Sequence, residues 1–143
     1  MMTSSGRILA IDNGTRRVGL ALSDELRITG QPYQTLEPVS DEDLLQKLYV
    51  IIEKEQVTEV VIGLPKRLDG SSGDMAENAK RLAAALRDHL GIKVKLWDER
   101  FSTHAAQRAL LEGDVRRNKR KQVIDQTAAA WILQGYLDSI QFL

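Results

Sequence analysis

A chain of 143 residues, 43% of them hydrophobic, can bury about 70% of its unfolded surface around one core but not two, so residues 1–143 are expected to form a single domain. Twenty Lys and Arg balance twenty Asp and Glu, so no whole-molecule field attracts a polyanion, and a nucleic-acid partner would have to be gripped by a local patch. The absence of cysteine excludes disulfides, thiolate metal sites and thiol nucleophiles, and together with a polar start and no apolar stretch of bilayer length it predicts a cytoplasmic protein with no membrane partner.

Along the chain, the apolar run Ile8–Ile11 ends at Asp12 and then Asn13-Gly14, which predicts a buried strand entering a tight turn with a carboxylate at the strand end. The sequon Asn13-Gly14-Thr15 is better explained by that turn than by glycosylation. Val18, Leu20 and Leu22 alternate with Gly19, Ala21 and Ser23, so a second strand pairs back antiparallel, and a weaker third around Gln34–Leu36 completes a meander. Ser40 caps a helix with Leu44, Leu45, Leu48, Ile51 and Ile52 at helical spacing. A buried strand Glu59–Ile62 follows, closed by Gly63 and Pro65. The Gly- and Ser-rich stretch Lys66–Asp74 then opens a helix carrying Ala76, Ala79, Leu82, Ala83 and Leu86 on one face until Gly91. Ile92–Trp97 is the fifth strand and runs into Asp98-Glu99-Arg100. Ser102 caps a helix to about Leu111, Gly113 ends it, and a long helix covers about Lys119–Ser139. A meander followed by strands alternating with helices gives the α/β class, a mixed five-stranded sheet flanked by helices.

Three carboxylates stand where apolar elements end or turn: Asp12, Glu99 and Asp125. Acids beyond the carboxyl ends of neighbouring strands can converge, and Asp125 shares a helix face with Ala128, Ala129, Ile132 and Tyr136, which turns it toward the core. Three converging carboxylates need a hard cation such as Mg2+ or Mn2+, and a pair of such ions suits in-line phosphodiester hydrolysis. Each acid also has a plain structural account: a turn residue for Asp12, an ion pair with Arg100 for Glu99, a helix-dipole partner for Asp125. Strand alternation leaves open whether Asp98 or Glu99 turns inward. Arg116, Arg117, Lys119, Arg120 and Lys121 fall within six positions, a density suited to a phosphate backbone or to a solvated face. His89 reads as a surface helix residue, and His104 is a secondary candidate for a place near Glu99.

The segments ILAIDNGTRRVGLALSD (8–24), VVIGLPKRLDGSSG (60–73) and WDERFSTHAAQRALLEGDVRRNKRKQVIDQTAAAWILQGYLD (97–138) together resemble the YqgF family, whose members are named as Holliday junction resolvases or pre-16S rRNA nucleases. The resemblance implies a ribonuclease H-like fold, with Asp12, Glu99 and Asp125 as catalytic metal-binding acids and Glu99 as the inward member of its pair. It implies precursor rRNA or branched DNA as partner, with the protein a monomer or a homodimer. Lys66 and Arg67 are the second nucleic-acid-binding candidates, although Arg67 stands where the family commonly carries Asn. Related resolvases use four acids, and no fourth is evident here. The turn at Asp12–Thr15 also resembles the first phosphate loop of actin-like and sugar-kinase ATPases, but those need two such domains. A non-catalytic nucleic-acid-binding module is the other alternative.

Overall fold

The computed structural model describes residues 6–14, 16–64, 74–98 and 117–141, with side chains in the last helix described from Thr127 to Ile140. The strands are β1 (Arg7–Asn13), β2 (Val18–Ser23), β3 (Gly30–Leu36), β4 (Val57–Leu64) and β5 (Lys93–Asp98), and the described helices are α1 (Asp41–Lys54), α2 (Asp74–Leu90) and α3 (Arg117–Gln141). They form one sheet in the order β3-β2-β1-β4-β5. β1, β2 and β3 make the expected antiparallel meander, and β4 and β5 add in parallel on the other side of β1. No described helix is long and apolar enough to cross a membrane.

Alternation sorts the sheet into two unlike faces. Leu9, Ile11, Val18, Leu20, Val60, Ile62 and Val94 pack beneath α1 and α2. Ile8, Ala10, Ala21 and Val61 face α3 and meet its Ala129, Ile132, Leu133, Tyr136 and Leu137. The crossover helices thus cover one face and α3 the other, which is why β1 is apolar on both sides. Several sheet residues on the α3 face are small, Ala10 and Ala21 among them. At Gly30 an added Cβ would lie 2.8 Å from Leu133, so α3 sits as close as a glycine allows.

Local signals explain the ends. The Ser40 hydroxyl accepts from the Asp43 N–H at 3.0 Å while the Asp43 carboxylate accepts from the Val39 N–H at 3.0 Å, a reciprocal cap on α1. Gly91, at φ +64, ends α2 with its N–H on the Arg87 carbonyl. β3 begins at Gly30, four residues before the expected start. Its first residues, Gly30-Gln31-Pro32-Tyr33, form an edge strand that buries no alternate side chain. β4 likewise extends beyond the expected Glu59–Ile62 at both ends. The helix expected from Ser102 to about Leu111 lies outside the described residues.

Candidate active site

Asp12 is the penultimate residue of the central strand and is half-buried. It has the parity of Ile8 and Ala10, hence the α3 face, and its neighbour across the ladder is Gly19, which sets no side chain beside it. The Gly14 N–H donates to the Arg17 carbonyl at 3.0 Å to close the following turn, and a Cβ at Gly14 would lie 2.5 Å from that oxygen. The turn therefore requires glycine, and it ends the strand just past the carboxylate.

β5 answers half of the question left open by its sequence. Val94 and Leu96 belong to the core under α1 and α2, while Trp97 packs against the α3 core. Asp98 has the parity of Val94 and Leu96, so its position faces away from the side of the sheet that holds Asp12. Glu99 lies outside the described residues, as do Arg116, Lys66 and Arg67.

Position 125 falls on α3, on the stripe continued by the buried Ala129, Ile132 and Tyr136. The C-terminal half of α3 is anchored at the amino ends of the parallel strands. The Gly30 N–H donates to the Gln134 side-chain carbonyl at 3.0 Å, and the Tyr136 hydroxyl donates to the Glu59 carboxylate. The earlier turns then climb toward the carboxyl end of β1. From Tyr136 back to position 125 is about 16 Å at 1.5 Å per residue, and from Glu59 up to the level of Asp12 is about 13 Å at 3.3 Å per residue. Chain length alone therefore lets position 125 reach about the height of Asp12. The side chain of Asp125, and those of Arg117, Lys119, Arg120 and Lys121 in the first turns of α3, lie outside the described residues. Among the described residues, no three His, Cys, Asp or Glu side chains cluster closely enough to hold a metal ion.

The anchor itself was not foreseen from sequence. Glu59 is a buried carboxylate inside a strand that reads as apolar, held by Tyr136, by the Arg27 guanidinium at 3.4 Å and more distantly by Lys93 at 3.9 Å. Arg27, in the left-handed region at φ 60, also donates to the Gly6 carbonyl and the Thr58 hydroxyl. Burial, then the hydrogen bond to Glu59, raises the Tyr136 hydroxyl pKa above its usual value. The only sequence signal was an acid at the head of the apolar run Val60–Ile62. Nearer the candidate site, Trp97 meets the Tyr136 ring edge-on, centroids 5.8 Å apart, and among the described residues its buried indole N–H has no acceptor.

Residues 6–139 match the family model described as RuvX, Holliday junction resolvase. The chain belongs to the RuvX family. A Clostridium botulinum (strain Hall) protein named "Putative pre-16S rRNA nuclease" is 43% identical over 134 residues, covering 94% of this chain and 98% of that protein. A Myxococcus xanthus protein of the same name is 47% identical over 133 residues, covering 93% and 88%. Among solved structures, Thermus thermophilus RuvC in complex with Holliday junction substrate superposes with a TM-score of 0.54 at 10% identity, covering 95% of this chain and 96% of that one. At that identity the likeness speaks to fold alone, and the fold of this RuvX member is ribonuclease H-like, the mixed five-stranded sheet with helices on both faces.

Proposed function

We propose that this RuvX member is one metal-dependent nuclease domain over residues 1–143 that hydrolyses phosphodiester bonds in processing the 5′ end of precursor 16S ribosomal RNA in the cytoplasm. Its metal-binding acids are Asp12, Glu99 and Asp125. The observation that carries the reading is the position of Asp12 at the carboxyl end of the central strand, on the face that α3 covers. Glu99 is supported by the parity of its neighbour, because Asp98 has the parity of Val94 and Leu96, away from the face of Asp12. The RNA substrate is supported by the names of relatives at 43% and 47% identity.

All three acids offer hard oxygen donors, which suit Mg2+ or Mn2+. Two such ions, when bound, activate water and stabilise the leaving oxygen of an in-line displacement. The chain supplies the rest. Asp12 is fixed by a strand hydrogen-bonded on both sides, and Asp125 by a helix anchored at its far end. The basic residues Arg116, Arg117, Lys119, Arg120 and Lys121 come just before Asp125 in sequence, and Lys66 and Arg67 come just after β4, and both groups are the candidates for holding the phosphates.

A four-way DNA junction is the second reading, favoured by the family description and by the RuvC likeness. Cutting two strands of a junction calls for two facing active sites and hence a dimer, whereas a monomer serves for RNA. The deciding experiment incubates parent and variants with Mg2+ or Mn2+ on a precursor-16S 5′-leader transcript and on a four-way junction. Asp12→Asn and Glu99→Gln should abolish cleavage with the melting temperature kept, and Asp98→Asn should retain most of it. Undiminished turnover in Asp12→Asn would overturn the assignment.

A further inference from the structure

Six arginines have described side chains. Arg7, Arg17 and Arg27 each reach a glutamate within 4.0 Å, and Arg87 donates to the Val94 carbonyl. The other two, Arg16 and Arg81, have no carboxylate partner among the described residues, and both line the same cleft. That cleft, of about 310 Å³, lies between the β1–β2 turn and the seam of α1 with α2, on the opposite face of the sheet from Asp12. Asn13, the residue after Asp12, forms part of its wall.

Its lining is two-sided. Arg16, Arg81, Asn13 and Asn78 provide donors, with Arg81 steadied by a hydrogen bond to the Asn78 side-chain carbonyl. Leu82 and Ala85 are among the residues that make an apolar wall. One carboxylate, Asp41, also borders it, but Asp41 opens α1, where the helix N-terminus offsets its charge. Two guanidiniums at one small cleft repel each other until an anion lies between them, and Arg forks match phosphate. An inorganic anion would leave the apolar wall empty, and an apolar ligand would leave the arginines unpaired. A nucleotide satisfies both, and the volume, at the low end for small-molecule sites, admits about one.

We propose that this cleft is a nucleotide subsite: it receives one nucleotide of the substrate strand beside the cleaved bond, its phosphate between Arg16 and Arg81 and its base against the Leu82–Ala85 wall. That the ligand is part of a strand rests on the nuclease reading. A backbone crossing the carboxyl end of β1 at Asp12 would next meet Asn13, which lines the cleft.

The test uses the full chain carrying Asp12→Asn, so that a fluorescein-labelled single-stranded RNA of about 12 nucleotides is bound but not cut, with Kd read by anisotropy over a salt series. Arg16→Gln with Arg81→Gln should raise Kd about tenfold and flatten the log-log salt slope by about 0.7, the share of one single-strand phosphate. Ala85→Phe, or Ala85→Leu if the larger residue fails to fold, should fill the wall. It should erase the several-fold preference for RNA over an abasic strand of equal length and charge. A double-Gln variant with the parent's Kd and slope would overturn the subsite, as would an Ala85 variant that keeps the base preference. Cleavage assays with Asp12 restored separate the two readings. If Asp12→Asn silences cleavage but the arginine variants bind normally, only the subsite falls. If Asp12→Asn still cleaves while the arginine variants bind weakly, the metal-site reading falls and the subsite stands.

Discussion

Tyr136→Phe isolates the hydrogen bond that anchors α3. The substitution keeps the ring, its edge-on contact with Trp97 and its burial among Ile8, Ala10 and Val61, and removes only the hydroxyl that donates to Glu59. A hydrogen bond to a charged acceptor contributes about 1.5–3 kcal/mol, and the acceptor here is buried. Arg27 and Lys93 remain on the carboxylate, so the loss should fall near the middle of that range, about 2 kcal/mol. For 143 residues the unfolding entropy is about 0.3 kcal/mol per kelvin, which turns that loss into a Tm drop of about 7 °C. Urea unfolding followed by circular dichroism, with calorimetry for Tm, measures both. Arg27→Gln should cost more, about 3–5 kcal/mol, because it breaks a buried ion pair along with bonds to Gly6 and Thr58. If Tyr136→Phe melts within about 2 °C of the parent, the hydroxyl does not anchor the helix, and packing alone holds α3.

Gly30→Ala should destabilise by about 1–3 kcal/mol in the same urea assay, because its Cβ would lie 2.8 Å from the fully buried Leu133. Adding Leu133→Ala should then cost less than the two single losses together, a coupling that a double-mutant cycle reads directly. At alkaline pH, Tyr136 and Tyr33 both hold their protons above the usual value of 10.0, each chiefly through burial and then through bonding to Glu59 and Glu55 respectively. The unfolded chain releases those protons first, so the stability they carry is intact below about pH 10 and drains as pH rises through the folded values. Replacing both with Phe should flatten the stability curve above pH 10 by up to about 2.7 kcal/mol per pH unit, measured as urea midpoints against pH. Replacing Arg116, Arg117, Lys119 and Lys121 with Gln should raise Kd for single strands, duplexes and junctions alike, flatten the salt slope by about 0.7–0.9 per lost contact, and leave turnover at saturating substrate largely intact. Affinity and slope equal to the parent's would show a solvated face.

Much of this architecture was legible because single residues carried the signal. Asp12 showed itself as the carboxylate ending an apolar run before Asn13-Gly14, and the spacing of Ala129, Ile132 and Tyr136 identified the buried stripe of α3. The start of β3 was not legible, since an edge strand of Gly, Gln and Pro carries no periodic burial. Glu59 was hidden because its partners Arg27 and Tyr136 lie 32 and 77 residues away, beyond the reach of any local pattern. The choice between Asp98 and Glu99 stalled for a different reason: Leu96 and Trp97 are both apolar, so each parity of β5 could have faced a core.

What the sequence left uninterpreted is the asymmetry between the two faces. In β2, Val18, Leu20 and Leu22 alternate with Gly19, Ala21 and Ser23, a pattern that announces a strand without saying what the small side is for. On that side Ala10, Ala21 and Gly30 lie against α3 alongside the larger Ile8 and Val61, and at Gly30 the helix comes close. The large side, under α1 and α2, is filled by Leu9, Ile11, Leu20 and Ile62. A helix seated on small residues approaches the sheet more closely than one seated on leucines. An acid on such a helix can meet an acid on the central strand only from the small side, and Asp12 has that parity while Asp98 does not. A bulky residue at Gly30, where an added Cβ already lies 2.8 Å from Leu133, would therefore harm the candidate site first by lifting the helix that carries Asp125, with every proposed metal-binding acid still present.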